Sequence, residues 1–328
     1  MRRRDFLGVL SGAAVAWPVA ARAQQPAMPV IGFLHSASPG PFAHLVAAYR
    51  QGLKDTGYVE GENLAVEYRW AEGQFDRLPS LAADLVRRDV RLIAAFGGST
   101  SPLAAKKATA TIPIVFSSGE IDPVKSGLVV SLNRPGGNVT GVSPMTGVLL
   151  AKRLELLREI TPRAGLVGYL LNSSNPNSEN QSRDVHEAAR ALGLELHAQS
   201  VSSDPDFETA FEGFSRRRVG ALFVGNDPFF LARRQQIVAL AARYSLPASY
   251  FSREFVAAGG LMSYAASFVD GYRLAGLYSG RILRGEKPSD LPVVQSVKFE
   301  LVLNLKIAKA LGIDVPPTLL TAADEVIE

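Results

Sequence analysis

The sequence contains no cysteine. That absence removes disulfide frameworks, thiolate zinc sites, iron–sulfur clusters, cysteine nucleophiles and lipidated cysteine anchors. Histidine is scarce as well, with four residues at positions 35, 44, 186 and 197. No stretch reaches the roughly 18 consecutive apolar residues that a membrane-spanning helix requires, so insertion of the mature chain in a membrane is not expected. Disorder is excluded from the other side. Of the 328 residues, 47% are hydrophobic and 20% charged, a mixture that builds packed cores and is too even for collagen or a coiled coil. The length suits two domains.

A net charge of +4 invites a nucleic-acid partner until the position of the excess is considered. Arg2, Arg3 and Arg4 precede an apolar stretch from Gly8 to Val19, and Ala21-Arg22-Ala23 follows with a small-x-small cleavage pattern. Residues 1–23 therefore read as a secretory signal peptide, and Arg3-Arg4-Asp5-Phe6-Leu7 resembles a twin-arginine signal. A buried N-terminal helix fits less well, because glycines and Pro18 break it and a Gln/Pro linker begins at Gln24. Removing residues 1–23 takes away four arginines and Asp5, leaving 31 basic against 30 acidic side chains. No nucleic-acid partner is expected, and the mature protein should be a soluble periplasmic monomer that is not a lipoprotein.

From Val30 onward, short apolar runs alternate with longer segments of helical periodicity. The first set of expected strands is 30–34, 64–68, 92–96, 112–116 and 139–142; the second is 166–171, 194–201, 221–224, 247–250 and 261–263. Several are apolar on both faces, as buried parallel strands are, and the intervening segments are long enough for crossover helices. One such helix places Leu78, Leu81, Ala82, Leu85 and Val86 on one face. Another runs over 267–284 with Gly285 placed to end it. The pattern predicts an α/β protein of two doubly wound parallel-sheet lobes joined by hinge crossings. The expected lobes are 24–142 plus about 264–292, and 143–263 plus about 293–328. A stretch at 293–302 and a short helix at 305–311 close the chain.

In such sheets ligands bind beyond the carboxyl ends of the strands, so the residues that follow each strand are the candidates. Ser36 and Ser38 follow the first strand; Gly98, Ser99 and Thr100 follow the third; Ser117 and Ser118 close the fourth. In the second set the same positions carry Asn172, Asn226, Asp227, Tyr250 and Glu254, with Tyr264 near a crossing. Taken singly, each loop is explained by capping and turn formation. Six small-polar loops on one sheet edge point to a ligand site. Gly98, Ser99 and Thr100, at a helix N-terminus, suit a carboxylate. Asn226, Asp227 and Glu254 suit an ammonium or hydroxyl, unless Asp227 caps the next helix and Glu254 pairs with Arg253 or Arg234. Tyr250 and Tyr264 offer stacking surfaces.

Enzyme signatures are absent: no G-x-S-x-G, no H-E-x-x-H, and no G-x-G-x-x-G after a strand. Gly280 to Lys287 has the outline of a phosphate-binding loop but carries Glu286 where lysine should stand. His35 is the one histidine placed to serve a loop serine as base. Glu120 and Asp122 form an acid pair that more simply opens a turn at Pro123. No catalytic residue, metal or cofactor is expected.

Longer strings carry a resemblance. Gly57 to Asn63, Tyr68-Arg69-Trp70-Ala71, Asp122-Pro123-Val124, Leu132 to Gly141 (LNRPGGNVTG), Ala257 to Tyr264 and Leu283 to Pro288 together resemble the solute-binding proteins of ABC transporters, of the tryptophan/tyrosine-binding-protein-like group. The resemblance runs over nearly the whole mature chain. It implies a type I periplasmic binding protein fold that closes on a small-molecule solute, an amino acid or carboxylate, and delivers it to an ABC permease at the inner membrane. A secreted two-domain enzyme using the same cleft, or a periplasmic sensor for a membrane receptor, are the alternatives.

Overall fold

A computed structural model describes residues 28–119, 122–143, 146–295 and 299–328; the expected signal peptide and Glu120 lie outside the described residues. Five strands, β1 (Val30–His35), β2 (Ala65–Trp70), β3 (Leu92–Phe96), β4 (Ile114–Ser117) and β5 (Val139–Val142), form a parallel sheet in the order β2-β1-β3-β4-β5. β3, β4 and β5 are buried along their whole length, which is why they read as unbroken apolar runs. Helices α1 (Ala43–Lys54), α2 (Leu78–Arg87) and α3 (Thr100–Ala108) make the crossovers, and Pro79 sits in the first turn of α2, where its missing N–H does no harm.

The second half builds α4 (Thr146–Ile160), β6 (Leu166–Leu171), α5 (Ser178–Ala191), β7 (Glu195–Ser200), α6 (Asp206–Arg216), β8 (Ala221–Val224), α7 (Pro228–Ala232), α8 (Arg234–Arg243), β9 (Ala248–Tyr250), α9 (Arg253–Ala257) and β10 (Met262–Ala266). The chain then returns to the first sheet as α10 (Phe268–Leu283) and ends in the second with β11 (Phe299–Asn304), α11 (Leu305–Ala310), α12 (Pro317–Ala322) and β12 (Glu325–Ile327). The second sheet has the order β12-β11-β10-β9-β8-β6-β7. It is parallel except where β11 runs antiparallel to β10. The expected two-lobe α/β architecture is thus observed.

α10 seals the first lobe by crossing α1 on glycines. A Cβ on Gly52 would lie 2.0 Å from the Arg273 carbonyl oxygen, and one on Gly276 would lie 2.2 Å from that of Tyr49. No larger residue permits that approach. Ser267 caps α10 by accepting from the Asp270 N–H, and Gly285 follows its end at φ +103°. Two crossings depart from the expected boundaries. β10 continues to Ala266 because it pairs with β11 through Ala266 opposite Phe299, so the chain leaves the second sheet at Ser267. Val293 and Val294 stay with the first lobe: Val293 packs with Phe116 and Leu128, and Val294 bridges Val142. One hydrophobic cluster links the lobes, running from Phe33, Phe96 and Tyr272 through Phe42 to Leu231 and Phe251.

Candidate functional site

The strand order of each sheet reverses beside its first strand, between β1 and β3 in one lobe and between β6 and β8 in the other. Loops leaving β1, β3 and β8 meet across an open cavity between the sheets, where doubly wound sheets bind ligands. The first lobe contributes Phe42, Leu45, Gly98, Ser117, Ser118 and Tyr272; the second contributes Asn226, Pro228, Leu231 and Phe251; Phe268 lies at the crossing. The lining is largely apolar, with few polar groups. That combination desolvates a flat or aliphatic solute and fixes its orientation. A side chamber shares Gly119, Asn226, Phe251, Ala266 and Phe268 and extends under α4 to Leu149, Leu150, Arg153 and Tyr264. Each chamber has one charged residue in its described lining, Asp270 in the larger and Arg153 in the smaller.

The first-lobe wall is positioned by an aromatic stack. His35 lies 4.4 Å from Phe42 and 4.7 Å from Trp70 between ring centroids, and Tyr272 stacks on Phe96 at 4.3 Å. The Ala37 N–H donates to His35 Nδ1, so Nε2 carries the proton and faces the Tyr272 hydroxyl at 3.1 Å. Burial holds His35 down to a pKa of about 3. With both nitrogens engaged and the ring neutral, His35 positions Tyr272 and is closed to base catalysis. Ser36 is occupied too, its hydroxyl donating to the Gly97 carbonyl at 2.5 Å. Gly97 is required there: at φ +76° a Cβ would fall 2.5 Å from Ser36 Oγ and 2.6 Å from His35 Nδ1.

The expected residues separate into groups. Gly98, Ser117, Ser118 and Asn226 line the main cavity, and Asn226 and Tyr264 line the side chamber. Among the described residues the buried Ser118 hydroxyl has no hydrogen-bond partner, an arrangement that leaves a donor for a solute. Ser99 and Thr100 instead line a separate groove with Asp122, Lys125 and Asn177. Half-buried Ser38 is absent from the described lining of either chamber.

Four of the expected residues are engaged within the protein. Asp227 is 3% exposed and caps α7 through the Phe229 N–H, while Asn172 and Asn175 donate to its two carboxylate oxygens at 3.2 and 2.7 Å. It ties the loops after β6 and β8 together, and three hydrogen bonds from its own lobe occupy both carboxylate oxygens; Asn172 is spent on the same contact. Tyr250 is buried, its ring stacked on Phe255 at 4.6 Å. Glu254 pairs with neither neighbouring arginine. It meets His44 of the first lobe at 3.2 Å, while Arg253 pairs with Glu325 at 2.5 Å.

Sequence reasoning missed the aromatic walls, Asp270 and Arg153. Phe268 and Tyr272 lie on α10, outside the strand ends that were searched, and the cavity borders both. Arg153 had a signal: it interrupts the apolar series Leu150, Leu154 and Leu157 on α4, where a cation belongs only if something holds it.

Two sheets whose carboxyl edges enclose one mainly apolar chamber define a two-lobe ligand-binding protein of the type I periplasmic-binding class. The chain belongs to the ABC transporter substrate binding protein family, whose model matches residues 41–327. It is 29% identical over 262 residues to a tyrosine-binding protein of Clostridioides difficile, covering 80% of this chain and 74% of that one. An ABC domain from Streptococcus pneumoniae in complex with L-Trp superposes with a TM-score of 0.81 at 26% identity. The ligand-free, open structure of a substrate binding protein with adhesive properties from Clostridium difficile gives 0.62 at 25% identity. Both alignments cover 91% of this chain and 99% of the other.

Proposed function

We propose that this protein is the exported solute-binding component of an ABC uptake system, holding an aromatic amino acid or a small aromatic or aliphatic carboxylate between its lobes and presenting it to a membrane permease. The observation that carries this reading is the interlobe chamber, whose walls are aromatic and whose few polar groups sit at the strand ends of both sheets. A flat ring fits between Phe42, Phe251, Phe268 and Tyr272, with Ser118 and Asn226 left to meet its polar end. The names of the similar proteins, a tyrosine binder and a tryptophan complex, agree with that chemistry. The higher TM-score to the tryptophan complex than to the open structure, at nearly equal identity and equal coverage, favours a closed lobe arrangement. The His44–Glu254 contact across the lobes supports the same arrangement. Binding drives closure to the extent that the solute prefers the closed form. The enzyme alternative loses support because His35 and Ser36 are each bonded elsewhere.

The test is native mass spectrometry of gently purified protein, followed by thermal shift with L-tryptophan, L-tyrosine and simple aromatic and aliphatic carboxylates. A retained, chemically unchanged solute is expected. A ligand at about 100 times its Kd should add roughly 2.7 kcal/mol of stability. No retained solute together with no shift from any member of the panel, or conversion of the solute, contradicts the proposal.

A further inference from the structure

Arg153 is 2% exposed, yet among the described residues no carboxylate lies within 4.0 Å of it. Its Nη2 donates to the carbonyl oxygens of Val224, the last residue of β8, at 2.7 Å and of Ser249, within β9, at 3.0 Å. The guanidinium lies 4.2 Å over the Phe223 ring. These contacts fix its plane and leave its charge uncompensated. Among the described residues Nε has no partner, and neither does the Ser249 hydroxyl. In the sheet, Ser249 is in register with Phe223 and Met262, which pack with α4 residues, so that hydroxyl lies on the α4 face with Arg153. Burial draws the group down to a pKa of about 9, still charged at neutral pH. A buried cation without a counter-ion is unfavourable unless it is hydrogen-bonded and later neutralised. Arg153 borders the side chamber, which shares Asn226, Phe251 and Phe268 with the main cavity.

We infer that Arg153 is the anchor for the solute's carboxylate, placed in the second lobe and reached through the side chamber. The inference rests on the solute-binding role proposed above and reverses the polarity expected from the sequence, which put the anion on the first lobe. An arriving carboxylate compensates the guanidinium's charge and accepts from its free N–H, a charge-assisted hydrogen bond of the strong class. The ring of the solute then extends toward Phe251 and Phe268, which line both chambers. The alternative is that Arg153 is a strut for two strand carbonyls and takes no part in recognition.

The two are separated by calorimetric titration of the wild type, Arg153→Lys and Arg153→Gln with three probes: L-tryptophan, indole-3-propionate, which lacks the amine, and tryptamine, which lacks the carboxylate. Melting curves of each variant verify folding. The wild type should bind both carboxylates and hold tryptamine at least about thirtyfold more weakly. Arg153→Gln should weaken the two carboxylates by a similar factor and leave tryptamine within about threefold; Arg153→Lys should fall between. If Arg153→Gln does not fold, Arg153→Lys decides, with an expected loss of about tenfold for the carboxylates only. Equal loss for all three probes, or none, overturns the anchor and leaves the solute-binding role intact. Failure of all three to bind the wild type overturns the aromatic-solute reading, and the anchor with it.

Discussion

The two lobes share one architecture and spend their strand ends differently. On the first lobe the edge is a stack of rings, His35, Phe42, Phe96 and Tyr272, beside a glycine turn and a serine hydroxyl left open. On the second lobe the edge is polar, but its polar groups bond one another: Asn172 and Asn175 hold Asp227, and Gln181 takes both the N–H and the carbonyl of Asn226. The lesson is that polar residues at a sheet edge do not by themselves make a site. What matters is which of them remain unpaired after the lobe has satisfied its own backbone, and among the described residues of the second lobe that leaves the Arg153 Nε beside the Ser249 and Ser263 hydroxyls.

The sharpest way to break this comparison is to cut the second-lobe network. Asp227→Ala leaves two asparagine amides and the Phe229 N–H without their acceptor, and should cost about 2–4 kcal/mol in urea unfolding. Were Asp227 a ligand group instead, stability would hold and affinity alone would fall.

Acid should attack the first lobe through His35. Its folded pKa lies at about 3, below the unfolded value near 6.5. Between those values the unfolded chain binds a proton that the folded chain refuses, so stability falls as pH drops below about 6.5, by up to about 1.4 kcal/mol per unit. His35→Gln should flatten that part of the profile in thermal unfolding; an unchanged slope would assign the acid sensitivity elsewhere.

Ser118→Ala gives a smaller effect and tests the open hydroxyl. Removing a buried, unpartnered group should leave stability unchanged or raise it by up to about 1 kcal/mol, while solute affinity falls about fivefold. A loss of stability would mean that the hydroxyl is structural.

The smallest effect is expected at the interlobe contact. Burial pushes the Glu254 carboxyl up, but hydrogen bonds from His44 and Ser252 outweigh it and hold the group below the usual glutamate range. The contact is therefore present at neutral pH and weakens as pH falls through that lowered value. His44→Ala should change solute affinity by less than about 1 kcal/mol, because the pair is partly exposed; a larger loss would make the contact a principal determinant of closure.

Much of the fold was legible because buried parallel strands are apolar on both faces. Leu92–Phe96, Val139–Val142, Leu166–Leu171 and Ala221–Val224 stand where the pattern put them. β12 was not legible: its residues are exposed or half-buried, and no alternation marks them. The site was legible only as loops. Gly98, Ser117, Ser118 and Asn226 follow from strand-end position alone. That Asp227 would be consumed by Asn172 and Asn175, residues 55 and 52 positions away, depends on loops meeting in space. Arg153 reaches the site from a helix face, outside the strand-end search.

The central claim is that the chamber between the sheet edges is a solute site on which the lobes close. Small-angle scattering of solute-free protein, titrated with a solute recovered from it or with L-tryptophan, tests this directly. A decrease in radius of gyration that saturates at one equivalent is expected; an unchanged radius under saturating, calorimetrically verified binding would contradict closure about this cleft.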